Sequence, residues 1–250
     1  MKTNIKYLLV LVVFATSLQL SAQRKVTFMS PDGLEITADL YLYDRGAPYI
    51  ILLHQENSSR GEYREIAPRL TRMGFNCLAI DLRSGKESNF VQNETALLAS
   101  KKKYATTLMD SEKDILAAIE YVGNTSIKNR CILFGSCFSA SLAMKVANQN
   151  KLVTAVIACS PGEYFKPAVT AKEWFKDFNQ LLFVTSTRRE LPFVTDLLSD
   201  IPPQLVTRYQ SAEGGVQGAP ALWGDNPQAG EIWMSLMMFM NKVRKDKYYM

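Results

Sequence analysis

Five consecutive apolar residues, Tyr49-Ile50-Ile51-Leu52-Leu53, constrain the fold more than any other stretch of the sequence. A strand with one wet face alternates apolar and polar residues, so an unbroken run needs cover on both faces, as inside a parallel sheet. Similar runs recur at Phe75–Leu82, Cys131–Phe134, Val153–Cys159, Leu181–Thr185 and Leu205–Tyr209, which read as further strands. Segments with helical spacing fall between and after them: Glu62–Arg72 (Tyr63, Ile66, Ala67, Leu70), Ser111–Val122, Phe138–Gln149, Ala171–Phe178 and Gly230–Lys245. The last is expected to bury Ile232, Trp233, Leu236, Met237 and Met240 as core packing. Ahead of the first run, Lys25–Ser30 and Leu34–Tyr43 alternate around Pro31-Asp32-Gly33 and predict an antiparallel hairpin. The sum is an α/β chain: a doubly wound, mostly parallel eight-stranded sheet with helices on both faces and an N-terminal β-hairpin.

The segment before that hairpin reads as an address. Lys2 and Lys6 precede an apolar run from Tyr7 to Ala15, and Ser21-Ala22-Gln23 follows with small residues. This is the pattern of a secretory signal over residues 1–22, too short to span a bilayer, which leaves 23–250 as one domain. The chain is expected to be exported, periplasmic or secreted, with no stable membrane insertion after cleavage. Its formal charge of +5 over 250 residues is too mild for a nucleic-acid partner. One histidine, His54, rules out a site built on several imidazoles, and no motif calls for a metal or another cofactor. The Lys101-Lys102-Lys103 triplet reads as a solvated helix face.

Export permits disulfides, yet the spacing of Cys77, Cys131, Cys137 and Cys159 matches no zinc or redox motif. Cys77 and Cys131 lie inside apolar runs and read as small core residues. Cys137 and Cys159 each stand where a strand ends, on strands that should be neighbours, and two free thiols are expected there rather than a bond.

Cys137 also sits in a strand, sharp turn and helix, with Gly135 and Ser139 two residues to either side. That spacing is the nucleophile elbow, in which small flanking residues let the central side chain stand clear of the sheet. With Leu53-His54-Gln55-Glu56, Asp81-Leu82-Arg83-Ser84-Gly85, Ser160–Phe165, Thr185–Glu190 and Gly215–Trp223, the chain resembles the α/β-hydrolase superfamily. The likeness is greatest to its lidless, dienelactone-hydrolase-like members. The resemblance implies a nucleophile at Cys137, an acid at Glu190, and a base at the position occupied by Gln217. It also implies oxyanion donors from the backbone of Phe138 and of the Gln55–Glu56 loop, and a cleft shared by Gln55, Glu163 and Gln217.

Gln217 breaks the pattern. The triad of this fold runs nucleophile, acid, histidine, and no histidine follows residue 54. An amide cannot accept and return a proton near neutral pH. A thiol depends less on a base than a hydroxyl does, and a helix N-terminus at the elbow should favour its anion. Two readings follow. One is a weak or inactive hydrolase of a small-molecule ester, lactone or thioester working through Cys137. The other is a non-catalytic binding or interaction module that retains the hydrolase cleft.

Overall fold

The computed structural model describes residues 23–211 and 214–245; the expected signal segment, 1–22, lies outside the described residues. Among these residues ten strands run in chain order: β1 Arg24–Met29, β2 Glu35–Tyr41, β3 Tyr49–Leu53, β4 Asn76–Ile80, β5 Glu87–Ser88, β6 Val91–Gln92, β7 Cys131–Ser136, β8 Val153–Cys159, β9 Leu181–Ser186 and β10 Val206–Gln210. Six α-helices join them: α1 Ile66–Arg72, α2 Glu94–Lys101, α3 Ser111–Thr125, α4 Phe138–Gln149, α5 Leu191–Leu197 and α6 Ala229–Lys245. Eight strands form the main sheet in the order β1-β2-β4-β3-β7-β8-β9-β10, while β5 and β6 make a small hairpin of their own. β2 pairs antiparallel with β1 and β4, the remaining neighbours of the main sheet (β4-β3-β7-β8-β9-β10) pair in parallel, and β5 pairs antiparallel with β6.

Side-chain alternation explains the unbroken apolar runs. Tyr49, Ile51 and Leu53 of β3 enter one core, with Ile115 and Ala118 of α3 and Phe138 and Leu142 of α4. Ile50 and Leu52 enter the other, with Ile66 and Leu70 of α1 and Trp233 and Leu236 of α6. In β7, Leu133 faces the first core and Ile132 and Phe134 the second. The sheet is therefore covered on both faces, as the sequence predicts. Among the described residues no helix is long and apolar enough to cross a membrane.

Several elements differ from expectation. The helix expected over Glu62–Arg72 divides into a 3-10 turn, Arg60–Tyr63, and α1. Ala171–Phe175 is likewise a 3-10 turn. Helix α2 is capped by Asn93 Oδ1 accepting from Ala96 N at 2.7 Å; of the lysine triplet expected on a helix face only Lys101 lies in it, and the exposed Lys102 and Lys103 follow its end. Met237 lies outside the buried stripe of α6, 41% exposed.

The order of the strands decides where a site can form. From β3 the chain winds one way to β4, and β7 then adds on the opposite side. The carboxyl ends of β3 and β7 thus flank the switch point, where open α/β sheets bind their ligands. Gln55 lies just beyond β3 and Cys137 just beyond β7.

Candidate active site

Cys137 stands on a turn that only a constrained sequence can make. Its φ and ψ are 56° and −117°, an unfavourable region for a side chain bearing a Cβ. Gly135 is compulsory, since a Cβ there would meet the Ala140 backbone at 2.5 Å. Ser139 locks the turn: its hydroxyl accepts from Ser136 N at 2.9 Å and donates to Leu53 O at 2.7 Å, tying the elbow to β3. Below it, the Tyr63 hydroxyl donates to Leu53 O at 2.8 Å.

The loop bearing Gln217 crosses directly over the elbow. Gly218 has φ 73°, and a Cβ on it would lie 2.6 Å from Ser136 Oγ, 3.1 Å from Cys137 Sγ and 3.3 Å from Gln55 Oε1. Only glycine lets the backbone pass so close. Ser160 Oγ accepts from Gly218 N at 3.0 Å and donates to Glu190 Oε2 at 2.9 Å, while Ser136 Oγ accepts from Ala219 N at 2.8 Å. Gln217 Nε2 donates to Glu190 Oε1 at 2.7 Å and to the Tyr164 hydroxyl at 3.3 Å. The acid and the amide thus form a hydrogen-bonded pair, and the residue after that amide touches the elbow.

Two features depart from the expected cleft. Cys137 is only 6% exposed, and Gln55 covers it, with Gln55 Oε1 accepting from the thiol at 3.3 Å. Glu163 belongs elsewhere: its carboxylate accepts from Ala171 N at 2.7 Å and Lys172 N at 3.1 Å, capping the 3-10 turn. Three surface cavities, lined in part by Met238 and Lys242, by Ile201 and Val206, and by Arg69 and Trp233, include no residue of the Cys137 cluster.

The expected oxyanion donors divide. Gln55 N donates to Glu62 Oε2 at 3.1 Å and is already engaged. The N–H groups of Glu56 and Phe138 find no acceptor among the described residues, so these two remain open to a ligand oxygen.

Electrostatics do not favour a thiolate. Burial pushes the Cys137 thiol up to about 12, with the Glu62 and Glu190 carboxylates adding to the rise; the Tyr164 and Ser136 hydroxyls oppose it only in part. These influences act against the anion-favouring effect expected of the helix N-terminus. Burial also raises the Tyr164 hydroxyl, and it pushes Glu62 up to about 7. His54 offers no rescue. It is fully buried, its Nδ1 donates to Gln55 O at 2.7 Å, its Nε2 accepts from Leu82 N at 2.9 Å, and burial lowers it to about 4. Cys137 N donates to Cys159 O at 2.8 Å, and all four cysteines are free.

Glu62, Ser136, Ser160 and Tyr164 are therefore members of the cluster that sequence reasoning did not single out. Ser160 and Tyr164 fall within a stretch of family resemblance but carry no spacing signal of their own. Glu62 enters the sequence reading only as the first residue of the helix expected over Glu62–Arg72.

Comparison with known proteins gives the same outline. An esterase of Pyrococcus furiosus is 18% identical, with a TM-score of 0.67 over 88% of this chain and 92% of its own. A dienelactone hydrolase of Anabaena variabilis is 14% identical, with a TM-score of 0.63 over 89% and 96%. An acylaminoacyl peptidase of Pyrococcus horikoshii is 14% identical, with a TM-score of 0.68 over 94% of this chain and 44% of the peptidase. At such identities the likeness establishes the fold, which is that of the α/β-hydrolases. No curated protein matches the sequence. The serine aminopeptidase S33 model matches residues 47–248, most of the chain, and the protein belongs to that hydrolase family.

Proposed function

We propose that this protein is an exported member of its family that receives a small ester, lactone or thioester at Cys137 and hydrolyses it weakly or not at all. The observation that carries the reading is the Glu190–Gln217 hydrogen bond of 2.7 Å, set beside a glycine that touches the elbow. The acid is placed to orient a base, and the group it orients is an amide. Acyl transfer would require the thiol to lose its proton, its sulfur to attack the carbonyl carbon, and the oxygen to gather charge at the Glu56 and Phe138 N–H groups. The leaving group would take up a proton, and water would then cleave the thioester. Gln217 can assist neither proton transfer, and the charged groups that act on the thiol, Glu62 and Glu190, are both anions. The esterase and the dienelactone hydrolase among the structural neighbours support the ester and lactone class.

A second reading, a binding module without turnover, is favoured by the burial of Cys137 beneath the Gln55 amide. Hydrolysis of p-nitrophenyl acetate separates the two. Wild type should be slow, and Gln217→His should raise the rate by about ten- to a hundredfold through restored general-base catalysis. Cys137→Ala should abolish that gain. A folded Gln217→His protein with no gain would favour the binding module; brisk wild-type turnover lost in Cys137→Ala would show an active thiol hydrolase. Export rests on the pattern of residues 1–22. N-terminal sequencing of the exported protein should begin at Gln23, and an intact Met1 would remove this part of the reading.

A further inference from the structure

Among the described residues, no ion pair includes Glu62, although it is fully buried beside the elbow. Its Oε2 accepts the Gln55 N–H at 3.1 Å; its Oε1 has no partner within hydrogen-bond distance, but the Ser58 and Ser136 hydroxyls lie beside the carboxyl and hold its rise back in part. Gln55 reaches the other way as well, its side-chain oxygen accepting from the Cys137 thiol at 3.3 Å. One residue thus joins the carboxylate to the nucleophile position. The Ser136 hydroxyl lies beside both groups and opposes the rise of each. Tyr63, Cys137 and Cys159 are the titratable neighbours on which the Glu62 charge acts. Glu190 and Tyr164 act on Cys137 in turn, and neutral His54 holds the Gln55 carbonyl. None of these groups is a cation.

We infer that Glu62 tunes the reactivity of Cys137: its carboxylate, fixed behind Gln55, adds to burial in keeping the thiol protonated and anchors the loop that presents the Glu56 N–H. In a setting poor in water a unit charge acts several times more strongly than in bulk solvent. A thiolate formed here would add another anion beside the Glu62 and Glu190 carboxylates, and among the described residues no ion pair offsets Glu62. No hydrogen bond joins Glu62 to Cys137 directly, so Glu62 is a positioning residue that works through Gln55 and Ser136. The inference deepens the reading of Cys137 as the nucleophile position. It requires no turnover, so thiol labelling tests it apart from hydrolysis.

The test is the pH profile of Cys137 labelling by methyl methanethiosulfonate, followed by peptide mass mapping, in the wild-type protein and in Glu62→Gln. Glutamine keeps an oxygen for the Gln55 N–H, and its amide can donate to the buried Ser58 hydroxyl, which lies beside Glu62. Because Glu62 ionises near 7, the two proteins should label alike at about pH 6 and diverge above about pH 7. At about pH 8.5 the variant should react roughly tenfold faster, the change in thiolate fraction that one pKa unit produces. Coincident profiles in a folded variant would overturn the inference. Slower labelling of the variant at high pH would overturn it too, and would make Glu62 the proton acceptor. If the variant does not fold, the wild-type profile decides. Its rate should climb less than about tenfold per pH unit as Glu62 ionises, and a uniform tenfold climb would overturn the inference.

Discussion

Asp114 and Glu62 both lie out of reach of water, and the chain surrounds them differently. Asp114, on the first turn of α3, faces Arg83: its Oδ1 accepts from the Arg83 guanidinium at 2.7 and 2.9 Å, and its Oδ2 from Arg83 N at 2.8 Å. Asp32 closes the far side of the guanidinium at 2.7 and 3.0 Å. Every polar atom in that group has a partner, and the network ties the β1–β2 turn to α3. Glu62 has one backbone N–H within hydrogen-bond distance, the neutral Ser58 and Ser136 hydroxyls beside it, and no ion-pair partner among the described residues. Burial raises both acids, Asp114 to about 6 against the pull of Arg83 and Glu62 to about 7 with only neutral donors opposing. The first arrangement holds the scaffold together. The second keeps an uncompensated charge next to the elbow, a pattern more typical of a working site than of a support.

The largest effect should come from breaking the compensated cluster. Arg83→Leu leaves Asp114 buried without its cation and deprives Asp32 of the partner that holds its carboxyl well below the usual range. Orphaning one member of a buried pair costs about 3–5 kcal/mol. Urea denaturation at neutral pH should show that loss, and replacing Arg83 and Asp114 together by leucine should recover much of it. A loss below about 1 kcal/mol in the single variant would mean that the network does not support the fold, and the contrast with Glu62 would collapse.

The contrast also explains what the sequence could disclose. The parallel strands were legible because covering a sheet on both faces demands continuous apolar runs, and the strands Tyr49–Leu53 and Val153–Cys159 keep their expected bounds, as does the helix Phe138–Gln149. The elbow was legible because steric crowding at Gly135 restricts the residue types allowed there. Partners for buried charge were not. Arg83 and Asp114 are 31 residues apart in sequence, and nothing local marks them as a pair. Glu62 is harder still, since an acid ahead of Tyr63, Ile66, Ala67 and Leu70 normally faces water. Only the 3-10 turn at Arg60–Tyr63, covered by the β5–β6 hairpin, carries it inward; a Cβ on Gly61 would meet Ser88 O at 2.1 Å. Tyr164 escaped for a related reason, because its place beside Gln217 follows from the path of the loop after Ser160, itself at φ 56°.

A smaller effect of opposite sign should come from neutralising the uncompensated charge. Glu62 is raised from 4.5 in the unfolded chain to about 7 in the folded one. An acid raised in this way leaves the folded state undisturbed while both states are protonated, below about pH 4.5. As the pH rises the unfolded chain ionises first, the folded state resists, and stability falls until about pH 7, beyond which the penalty is constant. A shift of this size corresponds to at most about 3 kcal/mol, at 1.36 kcal/mol per pKa unit. Glu62→Gln removes the ionisable group and keeps the acceptor for Gln55 N, so it should match wild type near pH 4 and exceed it by up to about 3 kcal/mol near pH 8. Urea melts at about pH 4, 5.5 and 8, with the denaturant slope unchanged, measure the difference directly. A gap independent of pH would place the effect in packing rather than charge. A gap that opens with pH would show that this fold bears a stability cost at the elbow that glutamine could remove, which is the cost expected if the charge is kept for Cys137.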